Sequence, residues 1–286
     1  MSEDVEALAA HRRAVEATIP LLGAIQSIAE MAHREAERAG APVKVYTTRV
    51  RERLNALVAS LEAADRRQLL ARMTGSGPSV MVVIGSERGL CGAFNDRLVR
   101  QAVPTIGQDT LVVCWGRRGE RLLRSTGHVV TLSAPLPSLG VPRYADIEGM
   151  TLDILELVEQ RNVSRLLVLS CSPVHGFQYA ASVRQVLPLP LTFADGPSRG
   201  VELKPPGDIV DLFVHLVSEY VLTELYDAAV ESAISEQLAR VAAMRLASEN
   251  ARNLLDDLTA QYNLARQRSV TQSLLEIVAG YQTPGV

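Results

Sequence analysis

The chain has 286 residues, 47% hydrophobic and 21% charged, and 29 Lys+Arg against 32 Asp+Glu leave a formal charge of −3. This is a globular balance, long enough for about two domains and without the basic excess of a nucleic-acid binder. No stretch approaches the roughly 18 uninterrupted apolar residues of a membrane span, and Glu3, Asp4 and Glu6 rule out a signal or transit peptide at the N-terminus, which points to the cytosol.

Taken in chain order, Leu8, Val15, Leu22, Ala29 and Ala36 recur every seven residues, and His11, Thr18, Ile25, Ala32 and Ala39 lie three further on. Two such columns are the seam of a coiled coil. Pro20, close to Gly23, predicts a kink or break, because an interior proline costs a helix about 3 kcal/mol. Gly40-Ala41-Pro42 predicts a second break. A further helix is expected over 47–73, where Val50, Leu54, Leu57 and Leu61 are spaced 4-3-4.

The middle of the chain alternates strand and helix. Short β-rich runs at 79–84, 110–115, 128–132 and 165–171 are separated by helical stretches at 94–103, 117–125 and 144–160. That order predicts an α/β domain with a mainly parallel sheet. Residues 185–193 read as a late edge strand, since Pro188 and Pro190 cannot donate to a ladder. Asp195-Gly196-Pro197 reads as a turn, and Pro205-Pro206 as the link to the C-terminal segment.

That segment is the longest unpunctuated run in the chain. Of 19 Gly and 14 Pro, none falls within 208–279. One helix of that span would be about 108 Å long, far beyond an ordinary globular helix. Ala251, Leu255, Leu258, Tyr262 and Ala265 are spaced 4-3-4-3, and Val270, Leu274 and Ile277 resume 4-3. Seams at opposite ends of one chain predict an intramolecular antiparallel pair, with an intermolecular dimer as the alternative. The expected fold class is therefore α/β, with long N- and C-terminal helices forming an antiparallel coiled coil around a central Rossmann-like α/β domain. The expected divisions are 1–74, 75–207 and 208–286. Ala228, Ala229, Ala233, Ala239, Ala242, Ala243 and Ala247 give the last segment a slender surface.

Chemistry is sparse by comparison. The two lysines, Lys44 and Lys204, follow Val43 and Leu203, so the Gly-Lys of a Walker-type ATP site is missing. Cys91, Cys114 and Cys171 are too far apart for a CxxC site and read as buried small hydrophobes. His11, His33, His128, His175 and His215 show no paired-ligand spacing. The loop Gly85-Ser86-Glu87-Arg88-Gly89-Leu90-Cys91-Gly92 sits between strand and helix, where doubly wound sheets bind phosphates. Its spacing is not GxGxxG, and it reads first as a tight turn. Cys91 would be a nucleophile only beside a base, for which His128 and His175 are the candidates. No catalytic, cofactor or metal constellation emerges. A small-molecule enzyme built on this loop and a dimeric coiled-coil scaffold with a sensory α/β domain stay open on the residues alone.

Two segments resemble the gamma subunit of the F-type rotary ATP synthase. Residues 85–95 are similar to the family's S-D-R-G-L-C-G-x-F-N, with Glu87 in place of Asp. Ser235-Glu236, Arg240, Ala243-Met244, Asn250-Ala251, Leu258, Tyr262-Asn263, Arg266-Gln267, Val270-Thr271-Gln272 and Leu275-Glu276-Ile277-Val278-Ala279-Gly280 resemble the family's ending. The departures are Ser273 for Glu, Val241 for Met, and a stretch 21–32 without the family's basic pattern, as in a divergent or alternate-type gamma subunit. The resemblance implies a non-catalytic central-stalk rotor without cofactor. It implies alpha and beta subunits, an epsilon subunit and a c-ring as partners, and a peripheral place on the cytoplasmic side of the cell membrane. It further implies that Arg266, Gln267 and Thr271 touch the beta-subunit loop that grips the shaft.

Overall fold

The computed structural model of the chain describes residues 3–72, 75–174, 178–190 and 208–281. The first element, α1 (Glu3–Ser60), is one helix of 58 residues. Neither predicted break occurs. Pro20 and Pro42 both lie on the solvent side, as do Glu16 and Arg38 four residues before them. The carbonyls the prolines leave unbonded are therefore open to water, and buried residues on the other face hold the helix together. Gly40 is a contact rather than a breaker: a Cβ there would come within 3.2 Å of Ile234 Cδ1.

The predicted helix over 47–73 is two elements. α1 ends at Ser60 and α2 spans Ala63–Arg72. Arg66 reaches back to cap the break, with Nη2 donating to Leu61 O at 3.0 Å, while Ser60 Oγ donates to Leu57 O at 2.7 Å. These bonds satisfy carbonyls that a helix terminus leaves orphaned. Leu61 is buried at the turn, so the 4-3-4 pattern ran on past the helix that carries it.

The sheet consists of β1 (Ser79–Ile84), β2 (Thr110–Trp115), β3 (Val130–Ala134), β4 (Arg165–Pro173) and β5 (Tyr179–Leu187), in the order β3-β2-β1-β4-β5. The first four strands are parallel and β5 is antiparallel to β4. Between them lie α3 (Phe94–Ala102), α4 (Arg117–Ser125) and α5 (Tyr144–Gln160). β3 starts two residues later than the sequence suggests, because His128 still belongs to the turn after α4, its N–H donating to Leu123 O. β5 starts six residues earlier than expected. Its prolines follow the strand rather than sit in it, and its end at Leu187 leaves Pro188 outside the ladder. The expected residues 191–193, the turn at 195–197 and the link at 205–206 lie outside the described residues. α6 (Ile209–Tyr281) closes the chain as a single helix of 73 residues.

Contacts divide the chain into two compact units, residues 1–28 with 241–286, and residues 29–240. In the larger unit the sheet is covered on both faces. Val80, Val82 and Ile84 of β1 face one core with Leu54, Leu57, Ile147, Ile154, Val217 and Leu225. Met81 and Val83 face the other, with Phe94, Leu98, Val112 and Leu123. This is why β1 reads as a continuous apolar run rather than an alternating one. The α1 and α6 stretches of this unit run antiparallel. As α1 partners fall from Arg51 through Lys44 to Gly40, α6 partners rise from Glu224 through Glu231 to Ile234.

In the smaller unit the α6 seam is visible as burial. Leu258 is buried and Ala251, Leu255, Tyr262, Ala265 and Ser269 are half-buried, a 4-3-4-3-4 run. Arg12 lies over the Tyr262 ring, 5.1 Å from its centroid. Two corrections apply. On α1 the first column holds, but His11 and Thr18 are exposed, and Val5, Arg12 and Ile19 complete the seam in their place. The stretch therefore steps four residues after Leu8 and Val15, where three was expected. Val270, Leu274 and Ile277 do not continue the α6 seam and are more than half exposed. The alanines also split: Ala228, Ala229 and Ala239 are buried contacts, so only part of that set forms surface.

Candidate functional site

The loop 85–92 leaves β1 and enters α3 at the carboxyl end of the parallel strands, the position at which doubly wound sheets bind ligands. Here the space is filled by the chain itself. Asn95, on the first turn of α3, turns back into the loop: Ser86 N–H donates to its Oδ1 at 3.0 Å, and its Nδ2 donates to Ser86 Oγ at 2.8 Å. Ser86 Oγ in turn donates to Arg88 O at 2.7 Å. Asn95 thus satisfies the Ser86 backbone N–H from within the chain. Gly85 is required by proximity, since a Cβ would fall 2.8 Å from Gly119 Cα. Gly116 sits at φ +96°, and its neighbour Arg117 donates its N–H to Glu87 Oε2 at 3.1 Å. Glu87 Oε2 also accepts from Leu136 N–H at 3.2 Å, so one carboxylate ties the loops after β1, β2 and β3.

α6 presses on the same loop. Ser232 Oγ donates to Ile84 O at 3.1 Å. Arg240 Nη2 donates to Glu236 Oε1 at 2.5 Å and reaches Gly89 O at 3.4 Å, while Nη1 donates to Gln237 Oε1 at 2.7 Å. Glu236 and Arg240 are both buried. Burial raises the Glu236 carboxyl above its ordinary range, and Arg240 opposes that shift. The two segments singled out in the sequence, 85–95 and the start of the C-terminal run, therefore meet as one joint. Residue chemistry alone missed it. The signal was present as polar Ser232, Glu236 and Arg240 at intervals of four, one face of a helix otherwise rich in alanine.

Cys91 is buried inside this loop, its Sγ 3.6 Å from Ser86 Oγ and 3.7 Å from Asn95 Nδ2. Burial pushes its thiol upward, which disfavours the thiolate a nucleophile needs. Cys114 and Cys171 are buried too, each pushed up to about 12 by desolvation. His128 is engaged elsewhere, its Nδ1 3.1 Å from Thr126 Oγ1. His175 lies outside the described residues. Among the described residues, no three His, Cys, Asp or Glu side chains gather as a metal site.

Arg266, Gln267 and Thr271 are all exposed on α6. Thr271 Oγ1 donates to Gln267 O at 3.0 Å, so these two stand one turn apart on the same face. They line an open depression with Leu264, Arg268 and Leu275, to which Arg266 does not contribute. Exposed apolar side chains surround them: Leu264, Val270, Leu274 and Leu275 are each at least half exposed.

Several proteins to which the chain is similar in sequence or fold are ATP synthase components. The sequence pattern of the ATP synthase family matches residues 5–283. The ATP synthase gamma chain of Coxiella burnetii strain CbuG_Q212 is 30% identical over 277 residues, covering 93% of this chain and 94% of the relative. That of Roseobacter denitrificans is 27% identical over 274 residues, with the same coverage. In fold, the chain is similar to a rotor chain of the Euglena gracilis mitochondrial ATP synthase, with TM-score 0.63 and 15% identity over 93% of this chain and 99% of that one. A central-stalk chain of the Tetrahymena thermophila enzyme gives TM-score 0.60 and 15% identity over 80% and 99%. With the family pattern spanning nearly the whole sequence, the chain belongs to the ATP synthase gamma chain family.

Proposed function

We propose that the chain is the non-catalytic central-stalk rotor of an F-type ATP synthase, coupling ion flow through the membrane sector to ATP synthesis or hydrolysis on the beta subunits. The observation that carries this reading is the crevice of its own sheet. Ser232, Glu236 and Arg240 of α6 occupy it, so the α/β domain serves as a mount for a long helix rather than as a nucleotide site. Alpha and beta subunits and a c-ring are the partners of such a rotor, with an epsilon subunit beside the α/β domain. Its place is peripheral, on the cytoplasmic side of the cell membrane through the complex. Among the described residues, no helix is long and apolar enough to cross a membrane.

Co-expression with alpha and beta subunits tests the reading. A complex of all three chains with ATPase activity is the expected result, and alpha and beta assembling to full activity without this chain would refute it. Calorimetry on the isolated chain is expected to show no stoichiometric ATP binding, because the Gly-Lys of a P-loop is missing and Asn95 takes up the Ser86 N–H of the loop.

Arg266, Gln267 and Thr271 are our proposed contacts with the beta-subunit loop that grips the rotor. Gln267 and Thr271 present donors and acceptors on one exposed face, each worth about 0.5–1.5 kcal/mol in a net hydrogen bond. Gln267→Leu with Thr271→Val is expected to lower ATP hydrolysis of the complex several-fold while assembly persists. Ser273, where the family has Glu, removes a charge from the same stretch and limits the effect. Wild-type turnover by the assembled double variant would make these residues plain surface.

A further inference from the structure

Glu224, Asp227 and Glu231 form an acidic face on α6 that turns inward, the first two buried and the third half-buried. Cations from two other elements answer them. Arg51 of α1 pairs with Glu224, and Lys44, two turns away, places Nζ 3.6 Å from Glu231 Oε1. Arg184 of β5 is shared by all three: it lies 3.5 Å from Asp227 Oδ2, 4.0 Å from Glu224 Oε2 and 3.9 Å from Glu231 Oε2. The carboxylates are buried or half-buried while Arg184, Arg51 and Lys44 keep one-third or more of their side chains in solvent, so the set adds little net stability, and the best-attested use of such charges is to specify which surfaces meet. Near Lys44 and Glu231 the apolar packing comes from Ala36, Gly40, Val230 and Ile234, small or rounded groups that discriminate poorly between neighbouring alignments, while Val50, Leu54, Val221 and Leu225 pack near Arg51 and Glu224. β5 is also an edge strand, with a ladder to β4 on one side only.

We propose that Arg184 is the shared member of an ionic clasp that fastens the edge strand β5 to α6 through carboxylates that α1 also engages, so that β5 keeps its place on the helix pair. The clasp is a conformational device of the fold and does not depend on the partner assignments of the rotor reading. Because Asp227 pairs with Arg184 while Glu224 and Glu231 keep Arg51 and Lys44, the middle pair is separable from the outer two.

The test is hydrogen exchange on the full chain, with Arg184→Met and Asp227→Leu replaced together so that net charge is preserved. β5 amides are expected to exchange at least tenfold faster, while β1 and β2 amides keep their protection. Arg184→Lys, which retains the charge, is expected to keep β5 within about threefold of wild type. Unchanged β5 exchange would overturn the clasp, and so would equal acceleration across the sheet, which marks general destabilisation. Should the double variant not fold, Asp227→Asn gives the same readout with a smaller acceleration confined to β5, and an unaltered β5 again overturns the proposal.

Discussion

Arg240→Ala is expected to destabilise the larger unit by about 3–5 kcal/mol, the usual penalty for removing one partner of a buried ion pair. The side chain supplies donors to Glu236, Gln237 and the Gly89 carbonyl, and its loss leaves all three without them at a buried site. The Glu236 carboxylate would be left in the core without its cation. Its pKa is already raised by burial, and losing Arg240 raises it further. For a carboxyl group raised in the folded state, folding takes up a proton, so stability falls as pH rises from the ordinary carboxylate range through the raised value. The gap between variant and wild type should therefore be widest at neutral pH and narrow as pH is lowered towards that range. Trp115, the single tryptophan and a member of the core around β1 and β2, reports it by fluorescence. An Arg240→Ala midpoint equal to wild type at pH 7 would show that the α6 joint bears no stability. A gap independent of pH would show that Glu236 is not the group left unpaired.

How much of this was open to sequence reading depended on whether a signal was local. α5 at Tyr144–Gln160, β1 at Ser79–Ile84 and β2 at Thr110–Trp115 coincide with the expected spans, because burial on both faces and clear stop signals write themselves into consecutive residues. The failures share a different cause. Pro20 and Pro42 break helices in isolation, but here a partner helix holds the opposite face and the freed carbonyls lie on the solvent side. β5 was displaced because Tyr179–Leu187 is a half-exposed edge strand whose membership depends on β4, not on its own apolarity. The seam column at His11 and Thr18 was misplaced since 3 and 4 steps alternate, and only packing decides which comes first. At the candidate site, the loop 85–92 was legible as a tight turn. The side chains that fill it were not, because Asn95 and Arg240 reach it from 9 and 151 residues away. Gln267 and Thr271 were legible as neighbours on one helix face, and both are exposed.

Leu258→Asp should separate the two units in their response to heat. Leu258 is the buried position of the 251–269 run on α6, 4% exposed, with half-buried neighbours at Leu255 and Tyr262. Removing its side chain forfeits about 1.5–3 kcal/mol of burial, and a carboxylate in its place adds the penalty of a charge without a partner. Against that, the pair of helices in this unit is held by small and medium side chains such as Val5, Leu8, Val15 and Ala265, which have little surplus to absorb the loss. The helices in the unit of residues 1–28 and 241–286 are therefore expected to melt well below their wild-type temperature, seen as an early loss of helical circular dichroism. Trp115 belongs to the other unit, so its fluorescence midpoint should stay where it is. Leu264→Asp is the matched control: Leu264 is half exposed on the same helix, and a charge there meets water instead of a seam. Equal melting curves for the two variants would mean that Leu258 is not held between helices in solution. A shift in the Trp115 midpoint for Leu258→Asp alone would mean that the two units unfold as one.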